Sequence, residues 1–137
     1  MSKKTPYENI IDTLQLVRDG VLDADPRFLE TPIDELLKIC NGCGAAGAKI
    51  DFVPDTIWGL SVRPVCNLHD FDYHFGITIS HKESGDRRML NNNLRMIQAY
   101  SSRMLRKLRR IRALTYYKTV KYFGGPAFWS NKVDPNG

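Results

Sequence analysis

Apolar residues recur at helical spacing in the first part of the chain. Residues 7–19 are predicted to form an amphipathic helix that ends at Gly20. Its apolar positions are Ile10, Ile11, Leu14 and Val17. A second, short helix is predicted after Thr31-Pro32, because threonine is a common helix cap and proline fits the first helical turn. This helix ends near Gly42, and residues 21–30 connect the two.

The pattern changes in the middle of the chain. Residues 45–63 contain two turn-like pairs of residues and are predicted to be irregular. Residues 64–75 are predicted to form a helix that is closed by Gly76. After it, residues 77–79 favour an extended conformation, and residues 80–85 are predicted to turn the chain.

A long helical pattern begins at Asp86. Its apolar positions recur at spacings of three, four or seven, as on the apolar side of an amphipathic helix. They are Leu90, Leu94, Ile97, Met104, Leu108 and Ile111. One helix, with a break near Ser101-Ser102, is predicted to run to about Tyr122, where Gly124-Gly125-Pro126 ends it. The predicted fold class is therefore all-α, with at most a small β-hairpin.

Length and composition indicate a single globular domain. The chain has 137 residues, of which 42% are hydrophobic, and no apolar run long enough to span a membrane. We divide it into N-terminal helices (1–39), a core that carries the candidate site (40–100) and a basic C-terminal helix and tail (101–137). Met1-Ser2-Lys3-Lys4 is basic, but no apolar segment follows it, so we expect no signal peptide and a cytoplasmic location.

The segment richest in chemistry is Cys66-Asn67-Leu68-His69-Asp70-Phe71-Asp72-Tyr73. On the predicted helix, Cys66, His69 and Tyr73 share one face because they are spaced i, i+3 and i+7. Asp70 lies about 100° round the helix from His69, so an imidazole and a carboxylate can reach neighbouring points of one cleft. The segment offers a general base, a metal-binding carboxylate and a phenol.

Two further elements flank this helix. Residues 40–47 (Cys-Asn-Gly-Cys-Gly-Ala-Ala-Gly) are predicted to form a loop of small residues, whose backbone could closely approach an ion. Downstream, Asp86 precedes two arginines. In this order, the loop, the Cys-x-x-His-Asp-x-x-Tyr helix and the Asp-Arg pair resemble the phospholipase A2 family, and most of all its compact bacterial and phage members.

The resemblance covers roughly residues 40–100 and implies Ca²⁺-dependent hydrolysis of the sn-2 acyl ester of glycerophospholipids, on two antiparallel helices. It implies that His69 is the general base toward water, that Asp86 fixes the tautomer of His69, and that Tyr73 steadies Asp86. The calcium ligands that it implies are the carboxylate of Asp70 and the backbone carbonyl groups of Gly42, Gly44 and Ala46.

The three cysteines leave more than one interpretation open, since they are too few for a disulfide scaffold. The phospholipase resemblance implies a Cys43–Cys66 disulfide with Cys40 free, although in a reducing cytosol all three would be thiols. Alternatively, Cys40, Cys43, Cys66 and His69 have the spacing of a Cys₃His zinc site in a nucleic-acid-binding module. A third hypothesis is an inactive phage structural protein with the same fold.

Charge is unevenly distributed along the chain. Residues 1–86 hold 8 of the 20 Lys and Arg and 14 of the 15 Asp and Glu, a net charge of −6, whereas residues 87–137 carry +11. The densest basic stretch, the 103–112 stripe, consists of Arg103, Arg106, Lys107, Arg109, Arg110 and Arg112. The stripe is either a solvated helix face or a docking surface for an anionic membrane, with nucleic acid as the second candidate partner. The resemblance suggests a phage or host-cytosol setting.

Overall fold

The structure, a computed structural model, describes residues 4–40, 54–130 and 132. These residues form seven helices and one two-stranded sheet, so the all-α class predicted from the sequence is confirmed. The helices are α1 (Pro6–Arg18), α2 (Pro26–Glu30), α3 (Ile33–Ile39), α4 (Arg63–Phe75), α5 (Ile79–Tyr100), α6 (Arg103–Phe123) and α7 (Gly125–Phe128). The strands are β1 (Thr56–Ile57) and β2 (Leu60–Ser61).

Local sequence explains both ends of α1. The Thr5 hydroxyl accepts a hydrogen bond from the backbone N–H of Glu8, and the Glu8 carboxylate accepts one from the N–H of Thr5, which makes a capping box. Pro6 occupies the first turn, and Gly20, with a φ of 79°, follows the helix. The predicted connector after it contains the short helix α2, which is capped by Asp25.

The hairpin lies within the stretch that was predicted to be irregular. Strands β1 and β2 pair antiparallel, with Thr56 opposite Ser61. Trp58 and Gly59 form the turn, and both have positive φ values, 47° and 79°. A positive φ is uncommon for tryptophan. The turn is held by Arg109 of α6, whose Nη2 donates a hydrogen bond to the Trp58 carbonyl oxygen at 2.8 Å.

Helix α5 begins earlier than predicted. The sequence suggested a turn over residues 80–85 and a helix from Asp86, but Thr78 caps the helix by accepting a backbone hydrogen bond from its first turn. Gly85, which favoured the turn, lies inside the helix where α4 comes close. A Cβ atom at Gly85 would lie 3.1 Å from the Cβ of Asp72. Asp86 is therefore about two turns inside α5 and is not a helix-start acid.

Helices α4, α5 and α6 follow one another as an antiparallel stack. His69 of α4 contacts Asp86 of α5, whereas Tyr73, which follows His69 on α4, also lies close to Lys82, which precedes Asp86 on α5. The two helices therefore run in opposite directions. The predicted break near Ser101-Ser102 is a reversal of the chain, because α6 runs back along α5. Helix α1 packs on the other side of α4. The buried core includes Ile10, Phe28, Leu36, Ile57, Val65, Phe71, Met89, Ile97 and Ala113.

The inward face of α6 differs from the predicted one. The buried residues of α6 are Arg109, Ala113, Tyr116 and Val120. The three residues of the sequence pattern that fall on α6, Met104, Leu108 and Ile111, are 86%, 45% and 55% exposed. Arg109 and Tyr116 donate hydrogen bonds to backbone oxygens of the hairpin, so these contacts fix which face turns inward. No helix within the described ranges has the length and apolarity needed to cross a bilayer.

We predict that Gly124→Ala destabilises the protein. The added Cβ would lie 2.6 Å from the Tyr73 hydroxyl and would also clash with the Val120 carbonyl oxygen. Overpacking of this kind costs about 1–3 kcal/mol in free energy of unfolding, to be measured by urea denaturation. Gly125→Ala is the matched control, since nothing lies within 4 Å of its added Cβ. Equal stability of the two variants would contradict the close approach of α6 to Tyr73.

Candidate functional site

A buried carboxylate, that of Asp86, lies at the centre of the site. Its Oδ1 is 2.8 Å from His69 Nε2 and 2.6 Å from the Tyr73 hydroxyl oxygen. Its Oδ2 is 2.8 Å from Lys82 Nζ. We call these four residues the Asp86 network. All four are buried, and hydrogen bonds between charged groups are stronger where water is excluded.

Helical periodicity brings the four side chains together. His69 and Tyr73 are four residues apart on α4, and Lys82 and Asp86 are four residues apart on α5. Residues at this spacing lie one above the other on a helix surface. Because α4 and α5 are antiparallel and close, the two pairs face each other, and the structure brings His69, Tyr73 and Asp86 together.

The protonation of the network follows from the surroundings of Asp86. Burial alone would raise the pKa of Asp86, but the hydrogen bond and charge of His69, with the hydrogen bonds from Lys82 and Tyr73, outweigh it and hold this pKa below its ordinary value. An ionised carboxylate only accepts hydrogen bonds, so His69 donates from Nε2. When the imidazole is neutral, its lone pair is therefore on Nδ1, which is the atom that can accept a proton.

The Tyr73 hydroxyl is held in its protonated form. Burial raises the pKa of Tyr73, and the negative charges of Asp86 and Asp70 raise it further. The phenol therefore remains a hydrogen-bond donor to Asp86. Its ring packs against the imidazole of His69, with the ring centroids 4.1 Å apart, and Phe128 of α7 covers it edge-on at 5.1 Å.

Lys82 is the member of the network that the sequence did not predict. Its Nζ donates to Asp86 Oδ2, to the Val120 carbonyl oxygen at 2.9 Å and to the Lys121 carbonyl oxygen at 3.3 Å. Lys82 was missed because residues 80–85 were predicted to form a turn. Had a helix been expected there, the spacing of Lys82 and Asp86 would have indicated an ion pair. Lys82 joins the carboxylate to the carboxyl end of α6.

Asp70 is the one proposed calcium ligand that lies within the described residues. It is half-buried on α4 next to His69, and its negative charge contributes to the raised pKa values of Cys40 and Tyr73, after the larger effect of burial. An anionic oxygen of this kind fits a calcium ligand. The implied carbonyl ligands, Gly42, Gly44 and Ala46, lie outside the described residues. Within the ranges 4–40 and 54–130, no three His, Cys, Asp or Glu side chains are grouped as a metal site.

The cysteines bear on the zinc interpretation. Cys66 is disulfide-bonded, and Cys40 is free and buried. This agrees with the implied pairing as far as these two residues are concerned, whereas Cys43 lies outside the described residues. The Cys40 sulfur donates a hydrogen bond to the Asn67 carbonyl oxygen, and burial raises its pKa, so its thiolate is disfavoured. A disulfide sulfur is not a thiolate ligand either, which weighs against a Cys₃His zinc site.

The 103–112 stripe is not one continuous basic surface. Arg109 is buried and bonded to the hairpin and to Ser101. Arg106 and Arg110 both donate hydrogen bonds to Gln98 of α5. Arg103, Lys107 and Arg112 are exposed. The stripe therefore divides into side chains that attach α6 to the rest of the domain and side chains that face outward.

Comparisons with known proteins gave no match: no family model, no curated protein and no solved structure is similar to this chain.

We predict that Lys82→Met destabilises the protein by roughly 3–5 kcal/mol at pH 7, because it leaves a buried carboxylate without its partner charge. The native pKa of Asp86 is held below its ordinary value of 3.8, so the carboxylate stabilises the fold above that pH and loses its contribution as the pH falls through the native pKa. The difference in free energy of unfolding between wild type and Lys82→Met should therefore narrow below about pH 4. Urea denaturation between pH 7 and pH 3 measures it.

Lys118→Met serves as the control for this substitution, because Lys118 is exposed on α6. It should change the free energy of unfolding by less than about 0.5 kcal/mol at either pH. A Lys82→Met variant as stable as this control at pH 7 would show that Lys82 and Asp86 are not a buried ion pair in solution.

Proposed function

We propose that this chain is a phospholipase A2-like hydrolase that cleaves the sn-2 acyl ester of glycerophospholipids with the help of Ca²⁺. One observation carries the proposal: Asp86 Oδ1 holds both His69 Nε2 and the Tyr73 hydroxyl, at 2.8 and 2.6 Å. A carboxylate that orients an imidazole while a phenol holds the carboxylate is an arrangement suited to general-base catalysis. Its sequence order agrees with the family that the chain resembles.

In the proposed reaction, His69 accepts a proton from water at Nδ1 as the water oxygen attacks the ester carbonyl carbon. It then returns this proton to the sn-2 oxygen of the leaving alcohol as the ester C–O bond breaks, which leaves a free fatty acid and a lysophospholipid. Asp86 keeps the imidazole oriented, because its Oδ1 accepts the hydrogen bond from Nε2. Tyr73 and Lys82 hold the carboxylate through one oxygen each. The imidazole then needs no reorganisation when it takes up the proton, which is how a preformed site lowers a barrier.

Asp70 would hold the cation with the backbone carbonyl groups of Gly42, Gly44 and Ala46. Bound Ca²⁺ supplies charge that polarises the ester carbonyl and stabilises the oxyanion. The position of Asp70 next to His69 in the middle of α4 supports this role, since a ligand one residue from the base would hold the metal close to the water that His69 activates.

We predict that His69→Gln lowers ester hydrolysis by about 10²–10⁴-fold, because water loses its proton acceptor. The measurement is fatty-acid release from mixed micelles in millimolar Ca²⁺. His74→Gln is the matched control, because His74 is an exposed histidine on the same helix and should retain wild-type turnover. Equal turnover by His69→Gln and His74→Gln would exclude His69 as the base.

We predict that Asp70→Asn removes Ca²⁺ binding in the micromolar to millimolar range, since a hard cation requires an anionic oxygen here. Isothermal titration calorimetry compares the variant with wild type. Asp34→Asn, at an exposed acid of α3, should bind Ca²⁺ as wild type does. If Asp70→Asn binds Ca²⁺ undiminished, the metal site lies elsewhere and the proposed ligand set is wrong.

A further inference from the structure

The outer surface of α6 combines exposed apolar side chains with exposed basic ones. On the side away from the core, an apolar row is exposed that consists of Met104, Leu108, Ile111 and Tyr122, with the exposed Leu114 beside it. Met104, Leu108 and Ile111 are spaced i, i+4 and i+7, and Tyr122 is five turns beyond Met104, so these four are nearly in line. We call this row and its charged edges the α6 outer face.

Basic residues line both edges of the row. At 100° per residue, one edge carries four exposed cations, which are Arg103, Lys107, Lys118 and Lys121. Arg112 lies on the other edge. Helix α6 contains no aspartate or glutamate, so no acid within the helix offsets this charge. An apolar row between cationic edges is typical of a helix that lies in the plane of a lipid surface.

An exposed tryptophan extends the face. Trp58, at the hairpin turn, is 52% exposed, and the Arg112 guanidinium lies 5.5 Å from the centre of its ring. The hydrogen bond from Arg109 to its carbonyl oxygen fixes the turn beside the helix. Tryptophan is enriched where a protein meets the boundary between lipid headgroups and acyl chains. The indole is therefore held beside α6, although about half of the residue is exposed.

We propose that the α6 outer face binds an anionic lipid surface. Cationic edges attract acidic headgroups, and the apolar row with Trp58 reaches the upper acyl region. The phosphates of a nucleic acid could pair with the basic side chains, but a nucleic acid has little apolar surface for aliphatic side chains such as Leu108 and Ile111 to contact. A second copy of the chain paired through this face would set two cationic surfaces against each other. Lipid binding by α6 requires none of the chemistry at His69.

The test is sedimentation of the full-length protein with sucrose-loaded vesicles in EDTA, so that calcium-dependent hydrolysis does not contribute. Wild type should bind vesicles of equal phosphatidylglycerol and phosphatidylcholine at least about tenfold more tightly than vesicles of phosphatidylcholine alone. Failure of wild type to bind the anionic vesicles would overturn the proposal, whatever the result of the His69 experiment. Success would stand even if the protein hydrolysed no lipid.

Two double variants separate the two chemistries. Lys107→Glu/Lys118→Glu should weaken binding roughly 30-fold or more at low salt and far less in 0.5 M salt, because salt screens the attraction. Met104→Ser/Ile111→Ser should weaken binding roughly tenfold or more at both salt concentrations, since burial of apolar surface is not screened. Circular dichroism establishes that both variants are folded.

Matched controls come from exposed residues elsewhere. Arg87→Glu/Arg95→Glu on α5 and Leu29→Ser/Ile77→Ser change the same kinds of side chain and should bind the anionic vesicles as wild type does. If the α6 variants and the controls lose binding equally, the attraction is a property of net charge and the proposal fails. If duplex DNA binding is lost in the α6 charge variant while vesicle binding is kept, the partner is nucleic acid and the proposal also fails.

Trp58 gives an independent readout. Its fluorescence should shift to shorter wavelength when wild type is mixed with the anionic vesicles, because the exposed indole moves into a less polar medium. The shift should be absent in Trp58→Phe, which retains Trp129. A shift that persists in Trp58→Phe would show that lipid contacts another part of the molecule, and the α6 outer face would then be the wrong surface.

Discussion

A carboxylate that is 1% exposed can remain charged only if other groups replace the water that it has lost, and Asp86 is in this position. The hydrogen bonds that replace those to water come from His69 and Tyr73 on α4 and from Lys82 on the same helix as Asp86. Lys82 also donates hydrogen bonds to two backbone carbonyl groups near the end of α6. Any arrangement of the three helices that separates these partners leaves a buried charge unpaired, so one polar cluster fixes the stack that positions the candidate base.

The sequence predicts the parts of this cluster that depend on local spacing. His69 and Tyr73 are visible because they are one turn apart on a helix whose ends are marked by proline and glycine. Lys82 is not visible, because Ser84-Gly85 favours a turn on local preference. Inside the fold, Gly85 has a different use, since the missing side chain lets α5 approach Asp72 of α4. This role of Gly85 depends on a contact with Asp72, 13 residues earlier in the sequence and on another helix. The spacing of residues within one helix contains no information about such a contact.

The buried face of α6 is a second feature that could not be predicted from the spacing of residues along one helix. Both of its faces carry enough apolar side chains to form a core, and hydrophobic spacing alone favoured the one with Met104 and Ile111. The structure buries the other face, on which Arg109 and Tyr116 donate hydrogen bonds to backbone oxygens of the hairpin. A buried guanidinium that donates to Trp58 and Ser101 thus outweighs several exposed aliphatic side chains. The choice is made by tertiary hydrogen bonds, which sequence patterns of polarity do not contain.

The two faces of α6 separate the residues of the proposed catalytic site from those of the proposed lipid-binding surface. The carbonyl groups that receive Lys82 belong to the last turn of the helix, at Val120 and Lys121, and they point along its axis. Met104 and Ile111 project outward from the first three turns, with the buried side of the helix between them and the Asp86 network. A substitution in the outer row leaves every hydrogen bond of the network in place. The proposed lipid binding and the proposed hydrolysis therefore depend on different residues, so that each can be tested by substitutions that do not touch the other.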